Sequence, residues 1–239
     1  MPKIQVCHNP SSYSLFKSDN AIVVVIDILR ATSAMVTAIE YGITSIIPVA
    51  SVEEAKEYQA KGFLAAAERD GKVVEGFTIG NSPFCYMEES MKGREVVIST
   101  TNGTQAINVA HEDAHEIIIG SFLNLAAVVE YLKRKNKDVL FLCAGWKNKF
   151  NLEDTLFAGA AAQLLLEDTN FETECDSTIG AVHLFSIAQS NIFSFLENSS
   201  HRKRLKRLDL EADIEFCLCL NKYNVVPIYK SGKIVKYCV

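Results

Sequence analysis

No run of the chain approaches the roughly 20 apolar residues that a bilayer-spanning helix needs. The strongest, Ala21 to Leu29, is strand-length and carries Asp27. Met1-Pro2-Lys3-Ile4-Gln5 lacks the long apolar core of a secretory leader. The seven cysteines contain no C-x-x-C pair, and Cys217 and Cys219 have no metal-site spacing, so a structural zinc is not expected. An odd, scattered set of thiols reads as reduced, which sets the expectation of a cytoplasmic protein. A basic surplus is missing too. The 239 residues hold 24 Lys and Arg against 29 Asp and Glu, a formal net charge of −5. That is the wrong sign for displacing counterions from nucleic acid, and neither nucleic acid nor membrane is an expected partner. No internal repeat or low-complexity linker breaks the chain. One domain over 1–239 is expected, and any two-lobed arrangement would part at 168–177.

What is present is alternation. Ala21 to Ile28 is a continuous β-branched run, as in a strand covered on both faces. Ala31 to Tyr41 reads as a helix stopped by Gly42, and Thr44 to Val49 as a second strand. Ser51 and Glu54 form a capping box opening a helix that ends at Gly62, followed by strand Phe63 to Ala67 and a polar loop from Glu68 to Pro83. Strands follow at Glu95–Ser99, Glu116–Ile119 and Val139–Cys143, separated by helices to about His111 and from Leu123 to Lys135. An alanine-rich helix spans Leu152 to Leu166. This rhythm predicts an α/β fold, a mostly parallel sheet flanked by helices. The stretch from Thr178 to Leu220 is mainly helical and closes with short strands Val225–Tyr229 and Lys233–Tyr237, a helix-rich carboxy-terminal subregion. Its mixed apolar and basic helices supply a candidate homodimer surface.

Ligands of open α/β sheets collect at the carboxyl ends of strands, and four of these strands end in polar clusters. Asp27 lies within an apolar strand, where an uncompensated carboxylate is expensive; it reads as a metal ligand or nucleophile, or as a cap for the next helix. Arg30 falls near the start of that helix, suited to phosphate or sulfonate oxygens or to a salt bridge with Asp27. Thr100, Thr101, Asn102, Gly103 and Thr104 combine hydroxyl and backbone donors where a helix begins, and Gly80-Asn81-Ser82-Pro83 is a second such loop; both also read as turns and caps. Glu153 and Asp154 occupy a first helical turn, where the dipole favours acids. With Asp27 and Glu68 they offer up to four oxygen donors for a hard cation. Trp146, in the loop after Gly145, reads first as packing and alternatively as a wall of the pocket, His111, His115 and His183 show no ligand spacing, and Met35 and Ile39 read as a buried helix face. His201 to Arg207 reads as a solvated basic face, with one or two residues able to reach an anionic ligand.

Together, Asp27-x-Leu29-Arg30-Ala31-Thr32, Glu68-Arg69, Gly76-Phe77-x-x-Gly80-Asn81-Ser82-Pro83, Thr100-Thr101-Asn102-Gly103-Thr104 and Ala144-Gly145 with Glu153-Asp154 resemble the 2-phosphosulfolactate phosphatase family. Ser200-His201, Arg204-Leu205, Asp213-Ile214 and Val225-Val226-Pro227 continue the match. Departures stand at Ala67, Asp70, Thr78, Arg202 and Asn221. The resemblance implies a distinctive α/β fold and a magnesium-dependent phosphomonoesterase of coenzyme M synthesis, converting phosphosulfolactate to sulfolactate and phosphate. It marks Asp27, Arg30, Glu68, Asn81, Thr101, Asn102, Glu153 and Asp154 as site positions.

On that reading Mg2+ is held by some of Asp27, Glu68, Glu153 and Asp154. Arg30, Arg69, Ser82 and donors around Asn81 and Asn102 bind the remaining oxygens of a small, highly anionic phosphate ester. Leu29 stands where phosphatases that form an aspartyl phosphate carry a second Asp, which favours attack by water over attack by Asp27. The alternatives are a phosphatase of another small anionic ester and a non-catalytic protein that binds anionic metabolites.

Overall fold

The computed structural model describes every residue except Asp19, Thr101, Thr169, Cys238 and Val239. From the amino terminus, β1 (Ile4–Cys7) and β2 (Ile22–Ile26) lead into α1 (Ala31–Glu40), β3 (Ser45–Pro48), α2 (Val52–Ala60), β4 (Leu64–Arg69) and the short β5 (Lys72–Val73). Next come β6 (Glu95–Ser99), α3 (Gly103–Ala110), β7 (Glu116–Gly120), α4 (Leu125–Lys135), β8 (Val139–Cys143) and α5 (Leu152–Leu166). Helices α6 (Asp176–Ala188), α7 (Ile192–Phe195), α8 (Ser200–Lys206) and α9 (Glu211–Cys217) precede the closing pair β9 (Pro227–Lys230) and β10 (Lys233–Lys236).

Among the described residues the strands form one sheet in the order β1-β8-β2-β7-β9-β10-β3-β6-β4-β5. β1, β8, β2 and β7 are mutually parallel, as are β3, β6 and β4. Between them, β7–β9, β9–β10 and β10–β3 are all antiparallel. Three reversals make the two parallel groups run in opposite senses. The closing hairpin, expected as part of a separate carboxy-terminal subregion, therefore sits in the middle of the sheet and welds its halves together. Residues just past the carboxyl ends of strands from both groups nonetheless line one cavity.

Both faces of the first group are covered, which is why β2 reads as an unbroken apolar run. Ile22, Val24 and Ile26 enter a core with α4 and α5, while Val23 and Val25 enter one with α1 and α3. A third cluster joins Ile47, Ala65 and Val97 to Ala55 of α2. Helices α5 and α6 cross at Gly159, where an added Cβ would lie 2.1 Å from the carbonyl oxygen of Ala181. The segment 172–178 is strapped to β1, since the hydroxyls of Thr173 and Thr178 both donate to the carbonyl of Ile4. Among the described residues no single helix is long and apolar enough to cross a bilayer.

Candidate active site

The carboxyl ends of β2, β4, β6 and β8 and one face of α8 line a small, polar, partly open cavity. Asp27, immediately after β2, has its turn locked by Thr32: the Asp27 N–H donates to Thr32 Oγ1 at 3.0 Å, and the Thr32 N–H donates to the Asp27 carbonyl at 2.9 Å. The carboxylate faces the cavity and also accepts from the Ala31 N–H at the start of α1, so the capping and site readings coexist. Burial pushes the Asp27 carboxyl up to about 6, with repulsion from Glu68 and Glu153 adding to it and His201 and the Ala31 N–H opposing.

Arg30 does not pair with Asp27. Its Nη1 donates to Asp213 Oδ1 of α9 at 2.7 Å and its Nη2 to the Gly71 carbonyl at 3.0 Å. A guanidinium has five N–H donors, so three remain for an anion in the cavity that Arg30 lines. Opposite, Glu68 at the end of β4 is held by the Gly71 N–H at 2.6 Å and by Asn81 Nδ2 at 3.0 Å. That bond gives the Gly80-Asn81 loop its purpose here: it fixes a carboxylate at the cavity wall. At the start of α3, a Cβ on Gly103 would lie 2.9 Å from Ala31 Cβ and 3.1 Å from Asp27 Oδ2. Only glycine lets α3 approach Asp27 so closely. Thr100 and Thr104 close the loop on themselves, the Thr104 N–H donating to Thr100 Oγ1 and the Thr104 hydroxyl to the Thr100 carbonyl. Asn102 lines the cavity without capping α3.

The two acids of α5 part company. Asp154 accepts from the Ile28 N–H at 2.9 Å and the Gly145 N–H at 3.2 Å, so both oxygens tie the ends of β2 and β8 together behind the cavity. Burial, then repulsion from Glu153 and Asp27, drives its carboxyl well above the usual range. Glu153 Oε1 meets His201 Nδ1 at 2.5 Å, while its Oε2 is buried without a partner. Burial alone would raise Glu153, but attraction to His201 and the bond from it outweigh that and hold the carboxyl low.

The structure brings Asp27, Arg30, Glu68, Asn81 and Asn102 to the cavity lining. Thr101 lies outside the described residues. Arg69 bridges β4 to β6, donating to Ser99 Oγ at 3.0 Å, and Ser82 precedes the Pro83–Tyr86 turn; neither lines the cavity. Trp146, His201 and Arg204, read from sequence first as packing or as a solvated face, do line it. Arg204 lies over Trp146, with Cζ 3.9 Å from the ring centre. Asp213, which orients Arg30, gave no signal of its own beyond its place in the motif Asp213-Ile214.

The donor chemistry suits a hard divalent cation, because Asp27, Glu68 and Glu153 offer only oxygen and one Glu153 oxygen is buried and unpartnered. Among the described residues no three acidic, His or Cys side chains form a ready-made metal cluster.

A family model described as 2-phosphosulpholactate phosphatase matches residues 7–232. The chain is 40% identical over 214 residues to a protein named probable 2-phosphosulfolactate phosphatase from Caldanaerobacter subterraneus subsp. tengcongensis, covering 88% of each. A protein of the same name from Thermotoga maritima is 43% identical over 209 residues, 87% of this chain and 89% of the relative. A third, from a Picosynechococcus species, is 34% identical over 239 residues and 98% of both chains. The chain belongs to the 2-phosphosulpholactate phosphatase family.

Proposed function

We propose that this member of the family hydrolyses 2-phosphosulfolactate to sulfolactate and inorganic phosphate with magnesium. The observation that carries the reading is the convergence in one cavity of three carboxylates, Asp27, Glu68 and Asp70, with two guanidiniums, Arg30 and Arg204. A substrate with phosphate, sulfonate and carboxylate on a short carbon frame must be neutralised before a nucleophile can approach it, and electrostatic stabilisation is the main work in cleaving such esters.

Magnesium, held by Asp27 and Glu68, would withdraw charge from the phosphoryl oxygens. Arg30 binds a phosphoryl oxygen through the N–H groups that Asp213 and Gly71 leave free, and their fixed geometry keeps it poised. The N–H groups at the start of α3, brought close by Gly103, face the same anion. Water oriented by Asp27 attacks phosphorus as the ester P–O bond breaks. The attacking water gives its proton to the Asp27 carboxylate, and His201, held through Nδ1 by Glu153 and protonated at the start of the step, gives a proton to the departing oxygen.

The deciding experiment is phosphate release from phosphosulfolactate by the purified protein, with magnesium and then with excess chelator. Fast release that the chelator stops is the expected result. A protein that releases none while hydrolysing a phosphate ester without sulfonate has a different substrate, and one that hydrolyses neither ends the phosphatase reading.

A further inference from the structure

Arg204 differs from Arg30, which shares the cavity lining, and from Arg69 and Arg202, which lie outside it. Arg30 is anchored by Asp213 and Gly71, Arg69 by the end of β6, and Arg202 by the Phe193 carbonyl and Glu211. Arg204 Nη1 reaches only the Ser200 hydroxyl, at 3.5 Å, and Nη2 is shut off from solvent with no acceptor. Desolvating a guanidinium N–H without giving it an acceptor is unfavourable, so Arg204 keeps donor capacity that its protein neighbours do not use. The guanidinium carbon lies over the indole of Trp146, 3.9 Å from the ring centre, a contact that holds the head group in place without giving it an acceptor. Glu153 and Asp70 attract it from a distance without forming an ion pair.

We infer that Arg204, stacked on Trp146, is the receptor for the sulfonate of the substrate and sets selectivity for it, an inference that rests on the phosphatase reading above. The two guanidiniums of the cavity belong to different elements, Arg30 at the start of α1 beside Asp27 and Arg204 on α8. They therefore serve different anions: Arg30 the reacting phosphate, Arg204 a group that does not react. Around Arg204 the lining includes Trp146 and Leu205. A weakly hydrated guanidinium on an apolar wall is the better partner for a weakly hydrated sulfonate than for a strongly hydrated carboxylate. Trp146 is a positioning residue, which holds the head group in place.

The test compares kcat/KM for phosphosulfolactate and for phospholactate, which lacks the sulfonate, in the wild type, Arg204→Met, Arg204→Lys and Trp146→Leu. Arg204→Met should lower the ratio of the two at least tenfold, chiefly through KM for phosphosulfolactate, since hydrogen bonds to charged groups discriminate on that scale. Lysine, with its charge but no planar fork, should recover part of the ratio, and Trp146→Leu should lower it as well. Equal losses on both substrates, or an unchanged ratio, overturn the assignment. A separate arm reads binding alone, as the rise in unfolding temperature with sulfolactate and with inorganic phosphate. Loss of the sulfolactate rise in Arg204→Met, with the phosphate rise kept, supports the receptor even if wild-type turnover fails. An equal sulfolactate rise in both proteins overturns it.

Discussion

Asp213→Ala should be among the most damaging single changes outside the apolar core. Arg30 and Asp213 are only 5% and 6% exposed, and their closest atoms are 2.7 Å apart, so bulk solvent does not screen the pair. Removing the carboxylate leaves a guanidinium buried with the Gly71 carbonyl as its one remaining protein acceptor. Breaking a buried pair in this way costs about 3–5 kcal/mol. For a domain of this size each kcal/mol lowers the melting temperature by ~2–4 °C, so a fall of roughly 6–20 °C is expected. Asp213→Asn keeps an acceptor but not the charge and should lose about 1.5–3 kcal/mol, the range for one charged hydrogen bond. In an Arg30→Met background, Asp213→Ala should cost far less, because no stranded charge remains. Urea denaturation of the four proteins of the cycle measures this coupling. A loss below about 1 kcal/mol for Asp213→Ala, or additive losses across the cycle, would refute the claim that the pair holds Arg30 as a unit.

Asp27→Asn should nearly abolish phosphate release and yet stabilise the protein in chelator. With a folded pKa of about 6 against the ordinary 3.8, the folded state binds the Asp27 proton more tightly than the unfolded state does. Stability is therefore lost as pH rises from 4 to 6, by on the order of 3 kcal/mol in full above that window. The variant lacks this loss and should melt above the wild type at pH 7.5; a lower melting temperature there would sink the argument. Gly103→Ala should push α3 away from Ala31 and Asp27, lowering kcat far more than it lowers stability, which overpacking reduces by about 1–3 kcal/mol. Unchanged kinetics would show that the close approach is not needed. Gly159→Ala sets a Cβ against the Ala181 carbonyl and should open the α5–α6 crossing, seen as a large fall in melting temperature; a neutral change would mean the helices part freely.

Much of the fold was legible because each buried strand of the parallel groups is a short apolar run ended by a polar cluster, and Glu95–Ser99, Val139–Cys143 and Leu152–Leu166 coincide with observed elements. β1 was not, since its four residues offer only Ile4 and Val6 as a pattern. The last two strands were visible, but their place in the sheet depends on partners such as Ile118 and Ile46 that no local signal names. In the site, residues at strand ends stood out because a polar residue closing an apolar run is conspicuous. On α8 the sequence allowed one or two residues to reach an anionic ligand without saying which, because a basic helix reads as solvated until its packing is known. Arg30 and Arg69 look equivalent in sequence, each next to or near an acid, and only tertiary contacts send one to the cavity and the other to Ser99. Glu153 and Asp154 are neighbours, but successive helical side chains point about 100° apart, so one meets His201 while the other ties two loops.

The central position of β9 and β10 has a bearing on how the chain matures at the ribosome. Eight strands that later form the two halves emerge before the hairpin that joins them, so β7 and β3 wait with open edges of the kind that recruit other strands. A nascent or truncated chain ending before Pro227 would hold the pieces of the cavity on two unjoined fragments. It should be inactive and prone to borrow a hairpin from another copy, the usual route to domain-swapped aggregates.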